Sequence, residues 1–198
     1  MQRTAAAVRR SQVERADTTR AALIAAARGL FLGRGYANTG TPEIVAAAGL
    51  TRGALYHHFA DKSALFLAVA EQLAQEVADD VARGSAHHGR PIDALLAGAE
   101  AYFSSMGKPG RARLLLLEAP TVLSPVQVMA LSERAGSQAL KEGLAQLLGA
   151  AGEPAPLREL TMLLSAAFDR AALAMVQGEA PGPYLDAFRR IFSGLARG

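Results

Sequence analysis

The sequence predicts an all-α protein of about nine helices, arranged as a small N-terminal head and a larger C-terminal body. Three observations predict it. Apolar residues recur at spacings of three and four along most of the chain, as one helical face requires. No alternating strand pattern bounded by hairpin turns interrupts them. The chain has 198 residues, 51% of them apolar, which is enough to bury a real core.

Asp17 and Thr18 can cap a first helix carrying Leu23, Ile24, Ala27, Leu30 and Phe31, stopped at Gly33-Arg34-Gly35. Thr41-Pro42-Glu43 reads as a helix start, with a hydroxyl cap, proline at the first position and an acid in the first turn. Gly49 ends that short helix, Thr51 caps another ending near Phe59, and Asp61 caps a long one with Leu65, Phe66, Val69, Leu73 and Val77 on one face. Residues 84–91, containing His87 and His88, read as a loop. Beyond it, Ile92 to Met106 makes an apolar stripe broken by Gly107-Lys108-Pro109-Gly110. A short helix through Leu114–Leu117 follows, then one from Pro125 to about Leu148, one over 157–177, and a last one after Pro181-Gly182-Pro183.

Charge divides the chain unevenly. Residues 1–62 hold nine bases and four acids, a net +5, whereas the remainder carries a net −2. A basic head on a mildly acidic body points to a polyanionic partner, most simply nucleic acid. The absence of cysteine rules out disulfides, thiolate catalysis and Cys-ligated metal and fits a reducing, cytoplasmic home. No apolar run approaches the ~18 residues of a membrane span, and the Arg-rich residues 1–15 lack the apolar segment of a secretory signal.

The stretch Thr41 to Lys62 has the pattern of a helix-turn-helix. Two helices of about two turns flank Ala48-Gly49-Leu50, and the second of such a pair lies in the DNA major groove. Its exposed side would present Thr51, Arg52, Gly53, Tyr56, His57 and His58. Arg52 stands in the first turn, where a guanidinium can take guanine O6 and N7 together. Thr41 and Lys62 begin helices, whose free N–H groups donate to phosphate.

From Thr18 to Val69 the sequence resembles the DNA-binding head of the tetracycline-repressor (TetR) family of bacterial transcriptional regulators. The resemblance rests on AALIAAARGLFLGRGYANT, on IVAAAGLTRGALYHHFADKSAL and on the long helix after them. It implies phosphate contacts from Tyr56, His58 and Lys62, groove-facing positions at Thr51, Arg52, Gly53 and His57, and a backbone anchor at Thr41. It further implies a homodimer, a double-stranded DNA operator, and a small-molecule effector held between the middle helices of the body. The expected division is a flexible basic arm over 1–16, the DNA-binding head over 17–62, a connecting helix over 63–84, and an effector-binding and dimerisation region over 85–198. No cofactor is expected.

The body offers candidates of two kinds. Tyr102, Phe103 and Met106 beside Arg113 either line a pocket for an apolar or aromatic anion or are plain core; Leu117, Phe168 and Met175 belong to the same set. Asp169 is either an ion-pair partner of Arg170 or a ligand anchor, since buried charges need partners. On a second face, Met162, Ala166, Leu173 and Val176 join Phe188, Ile191, Phe192 and Leu195 as candidates for an interface between two chains. The His57-His58 and His87-His88 pairs do not suit a metal, because adjacent helical residues point about 100° apart. Glu100, Glu118 and Asp169 stand alone, and there is no G-x-S-x-G, P-loop or H-E-x-x-H, so no catalytic assembly is expected. The competing readings are a constitutive or architectural DNA binder without effector, and an activator.

Overall fold

The computed structural model describes residues 2–86, 88–149 and 156–197, with side chains from residue 15 onward. His87 and the arginines of the N-terminal arm up to Arg10 therefore lie outside the described side chains. Ten α-helices follow in order: α1 (Gln2–Arg34), α2 (Thr41–Ala48), α3 (Arg52–His58), α4 (Lys62–Ser85), α5 (Pro91–Met106), α6 (Ala119–Val122), α7 (Pro125–Ser132), α8 (Gln138–Gly149), α9 (Leu157–Val176) and α10 (Pro181–Leu195). A π-helical segment, Arg113–Glu118, leads into α6, whereas the link Glu133–Ser137 between α7 and α8 is kinked at Gly136, whose φ 159° and ψ −15° are not helical. The described residues form these helices with short connections and no strand.

The chain divides into two compact units, Met1–Val69 and Ala70–Gly198, and the division falls inside α4. In the first unit, α1 begins well before Asp17, so the arm expected to be flexible over 1–16 is helical from Gln2. The cause is in the residue types: Ala5-Ala6-Ala7 favour helix, and neither glycine nor proline occurs before Gly29. At its other end, Gly35 takes φ 85° and donates its N–H to Phe31 O at 2.9 Å, a left-handed terminator that a side chain would strain.

Helices α2 and α3 pack on α1 and on each other, with Ile44 and Leu55 wholly buried. Leu23, Ile24, Ala27, Phe59 and Leu65 complete the core. Phe31, Tyr36 and Phe66 form a ring triangle with centroids 5.0–5.7 Å apart. Full burial of such side chains contributes about 1.5–3 kcal/mol each, which short helices cannot supply from propensity alone.

In the second unit α5 packs on α8 and α10, and α8 on α9. A Cβ at Gly143 would sit 2.5 Å from Leu95 Cδ2, and one at Gly84 would sit 2.5 Å from Ala101 Cβ. Alanine at Gly84 would therefore block the approach of α4 to α5, and alanine at Gly143 would force the Leu95 side chain to shift. Phe103, Phe168, Phe188 and Phe192 are buried together, with the Phe168 and Phe188 rings stacked 3.8 Å apart. This corrects one expectation. Phe188 and Phe192, assigned from sequence to a surface between chains, close the core of their own chain instead, because the aromatic face of α10 meets α5 and the ring of Phe168.

A polar cluster around the buried Arg111 ties α4 to α5 and to the turn after it. Arg111, 3% exposed, donates to Ser105 Oγ at 2.6 Å and to Glu76. Asp80 Oδ2 accepts from Ser105 Oγ at 2.6 Å and Lys108 Nζ at 2.7 Å. The Lys108 and Ser105 hydrogen bonds, with Arg83 adding, hold the Asp80 carboxyl far below the ordinary aspartate range. A depressed folded pKa means that this stabilisation is complete above the ordinary aspartate value and is lost as pH falls towards the folded one. Asp80→Asn should cost about 1–3 kcal/mol in urea unfolding at pH 7. The variant's deficit should shrink as the pH of the titration is lowered through the ordinary aspartate range.

Candidate nucleic-acid interface and internal cavity

Two short helices and four caps build the exposed face of the first unit. Thr51 caps α3, its hydroxyl accepting from Ala54 N at 3.2 Å. Gly49, at φ 65° and ψ 29°, turns the chain between α2 and α3. Asp61 caps α4, Oδ1 accepting from Ala64 N at 2.7 Å. The fourth cap differs from expectation: Gly40, not Thr41, is the N-cap of α2. Glu43 Oε2 accepts from Gly40 N at 2.9 Å, and Arg34 holds the same carboxylate at 2.6 Å. Because the glutamate satisfies the helix start, the Thr41 hydroxyl is available to Tyr56.

The α3 face is polar and open. Thr51, Arg52, Gly53, Tyr56 and His57 are exposed, and Thr41 and His58 are half-buried. The Arg52 guanidinium lies 5.5 Å from the centre of the Tyr56 ring. Hydrogen bonds from Thr41 and then Arg52 draw the Tyr56 pKa below its ordinary value. Thr41, Arg52 and Tyr56 thus form one connected group from two helices. With Leu55 pointing inward, the opposite side of α3 faces water with donors and no acidic side chain.

Lys62 has an additional occupation. Its ammonium donates to Tyr36 O at 2.9 Å and Thr39 O at 3.0 Å, and lies 3.9 Å from the centre of the Tyr36 ring. It holds the turn between α1 and α2 from the first residue of α4.

The second unit contains a cavity of about 460 Å³, within the range of small-molecule sites. Among the residues predicted as pocket-lining, Tyr102, Met106, Phe168 and Asp169 meet there. Phe103, Arg113, Leu117 and Met175 are not on its wall. Phe103 belongs to the aromatic core, Arg113 pairs with Glu118 at 3.1 Å, and Leu117 is exposed. Asp169 accepts from Tyr102 OH at 2.5 Å, and Arg170 is exposed beside it. Burial pushes the Asp169 pKa up, and pushes that of Tyr102 well above the ordinary tyrosine value.

A family model described as bacterial regulatory proteins, tetR family, matches residues 23–69. A second, described as tetracyclin repressor-like, C-terminal domain, matches residues 92–198, more than half of the chain. The chain belongs to the TetR family. A crystal structure of a TetR-family regulator from Pectobacterium atrosepticum is similar at TM-score 0.71 and 30% identity, covering 93% of this chain and 95% of that one. The HTH-type transcriptional regulator CymR of Pseudomonas putida is 44% identical over 71 residues, 36% of this chain and 35% of that protein. The HTH-type transcriptional repressor BepR of Brucella suis is 44% identical over 62 residues, 31% of this chain and 29% of that protein. These matches span only about a third of the curated relatives' length.

For this TetR-family chain, the sequence pattern missed three contributors: Tyr36 and Thr39, whose carbonyls receive Lys62, and Gly40. In the body it missed Ser132, Ser137 and Ser165, whose hydroxyls form a chain on the cavity wall with spacings of 3.3 and 2.9 Å. Ser165 stands one turn before Asp169 on α9. Among the described residues no group of three metal-ligating side chains occurs, and no helix is long and apolar enough to cross a membrane.

Arg52→Ala should lose about 1–3 kcal/mol of discrimination at one base pair, measured by competition among single-position operator variants. Lys62→Ala should behave otherwise. It loosens the turn that sets α2, so binding to all sequences should fall together, and thermal unfolding should shift to lower temperature.

Proposed function

We propose that this chain is a homodimeric, sequence-specific transcriptional regulator that acts in the cytoplasm as a repressor, released from a near-palindromic operator by a small molecule. The observation that carries the reading is the α3 face, where Arg52, Tyr56 and His57 project from a capped helix of seven residues. Arg52 would read a base edge from the first turn, with Thr51 and His57 beside it, and exposed Gly53 would let the backbone approach the groove. Tyr56, His58 and Thr41 would hold phosphate, and Lys62 would contribute through the backbone N–H groups that open α4.

Dimerisation is supported by apolar side chains that have no cover within one chain. Met162 is 62% exposed, Leu163 64%, Val176 54% and Ile191 43%, along α9 and α10, with Ala166 on the same side of α9. A two-fold pairing of these helices would bury them, with half-buried Leu195 at the edge. Leu173, from the sequence-derived interface set, lines the cavity and is assigned there. Two heads would then address half-sites one helical turn apart or a multiple of it, ~34–36 Å per turn.

The cavity supports the effector. A ligand there acts only through a difference in affinity between DNA-competent and released arrangements. Full reversal of that equilibrium needs ~5.5 kcal/mol, which two bound ligands can share.

The test is binding of the purified protein to DNA upstream of its own gene at two salt concentrations, with unrelated DNA as competitor. The expected result is a dimer that binds one near-palindrome specifically and whose affinity falls steeply with salt. Weak binding with no sequence preference would favour an architectural role, and a folded dimer that binds no DNA would overturn the assignment of the α3 face.

A further inference from the structure

The composition of the cavity wall carries a conclusion about what enters it. Most of the wall is apolar, contributed by residues such as Leu95, Leu115, Leu131 and Leu140. Its polar groups are not scattered. Ser165 and Asp169 lie one turn apart on α9, the hydroxyl chain of Ser132, Ser137 and Ser165 leads along the wall, and Tyr102 closes the other end on Asp169.

Charge on this wall has one sign. Asp169 and Glu142 are the charged residues among the described ones that line it, and no lysine, arginine or histidine is present there. Tyr102 satisfies only Oδ1 of Asp169, leaving Oδ2 without a protein donor among the described residues. Arg113, the cation nearest in expectation, is occupied by Glu118 on its own π-helical segment. A half-buried carboxylate with one acceptor oxygen not engaged by the protein suits a donor that brings positive charge, because a charge-assisted hydrogen bond is stronger than a neutral one. An anionic ligand would meet like charge and no cation.

Resting on the effector-cavity reading above, we infer that the cavity selects lipophilic cations: an aromatic or aliphatic body of modest size bearing one protonated amine. The body fills the leucine-lined space, the ammonium donates to Asp169 Oδ2, and Tyr102 fixes the carboxylate by holding its other oxygen. The Ser137–Ser165 hydroxyls accept or donate along the adjoining strip. This differs from the sequence-based alternative of an apolar or aromatic anion beside Arg113, whose guanidinium turns to Glu118 and is not on the cavity wall.

Calorimetric titration of the full chain with phenylbutylamine, phenylbutanol and phenylbutyrate tests this, because the three share one body and differ in head group. The amine should bind about tenfold or more tighter than the alcohol, as a hydrogen bond between charged groups warrants, with the carboxylate weakest. Asp169→Asn should remove the amine's advantage and leave the alcohol nearly unchanged, while Asp169→Glu should retain a preference for the amine. A cavity-filling Leu140→Trp should weaken all three. Equal or tighter binding of the alcohol or carboxylate, or an amine preference that survives in Asp169→Asn, would overturn the inference while leaving the cavity as the ligand site. Binding untouched by Leu140→Trp, or no binding of any probe to the unaltered protein, would overturn the cavity reading and this inference with it.

Discussion

Two helices of eight and seven residues must be held rigid without help from their own length. Isolated segments so short do not stay helical in water, so α2 and α3 depend on what fixes their ends. Lys62 supplies the central constraint. Its ammonium gathers two carbonyls of the 35–40 turn and sits on the Tyr36 ring, which itself packs against Phe31 and Phe66. The end of α1, the approach to α2 and the start of α4 are thereby joined through one side chain. Glu43 and Arg34 secure the same corner from outside. The exposed face of α3 inherits its rigidity from contacts made on its hidden side.

The body solves a different problem, that of keeping charge inside apolar surroundings. At the junction of α4 and α5, Arg111 is almost fully enclosed and its hydrogen bonds to Ser105 and Glu76 are matched by those converging on Asp80. Such a cluster is a fastening, since a missing member leaves a buried charge exposed to an unfavourable medium. The Tyr102–Asp169 pair is built otherwise, with one acceptor left unmatched. The contrast between a closed polar set and an open one distinguishes framework from proposed binding site within a single helical unit.

What could be read in advance follows from how local the signal is. The Thr51 and Asp61 caps, the Gly49 turn and the periodic face of α4 were legible because each depends on residues within four positions of one another. The α2 cap slipped by one residue because Glu43 can serve a glycine as well as a hydroxyl, and sequence does not say which oxygen wins. Arg52, Tyr56 and His57 were identified as exposed because Leu55 between them is apolar and fixes the register. The body was harder. Phe188 and Phe192 form an apolar stripe whether the partner is the same chain or another, and periodicity is silent on that choice. Arg113 is away from the cavity for a different reason: its guanidinium turns to Glu118 five residues on, a partner that the usual helical spacings of three and four do not bring to mind.

The break at Gly136 has an implication for how the body can change. With φ 159° and ψ −15° this residue leaves helical geometry between α7 and α8, so the direction of α8 is set at a joint and not by one continuous hydrogen-bond ladder. A change of residue at that joint would turn α8 as a unit, carrying Gly143, which lies against Leu95, and Leu140 on the cavity wall along with it. The joint is thus a place where the α8 side of the cavity can be re-aimed while the helices on either side keep their own geometry.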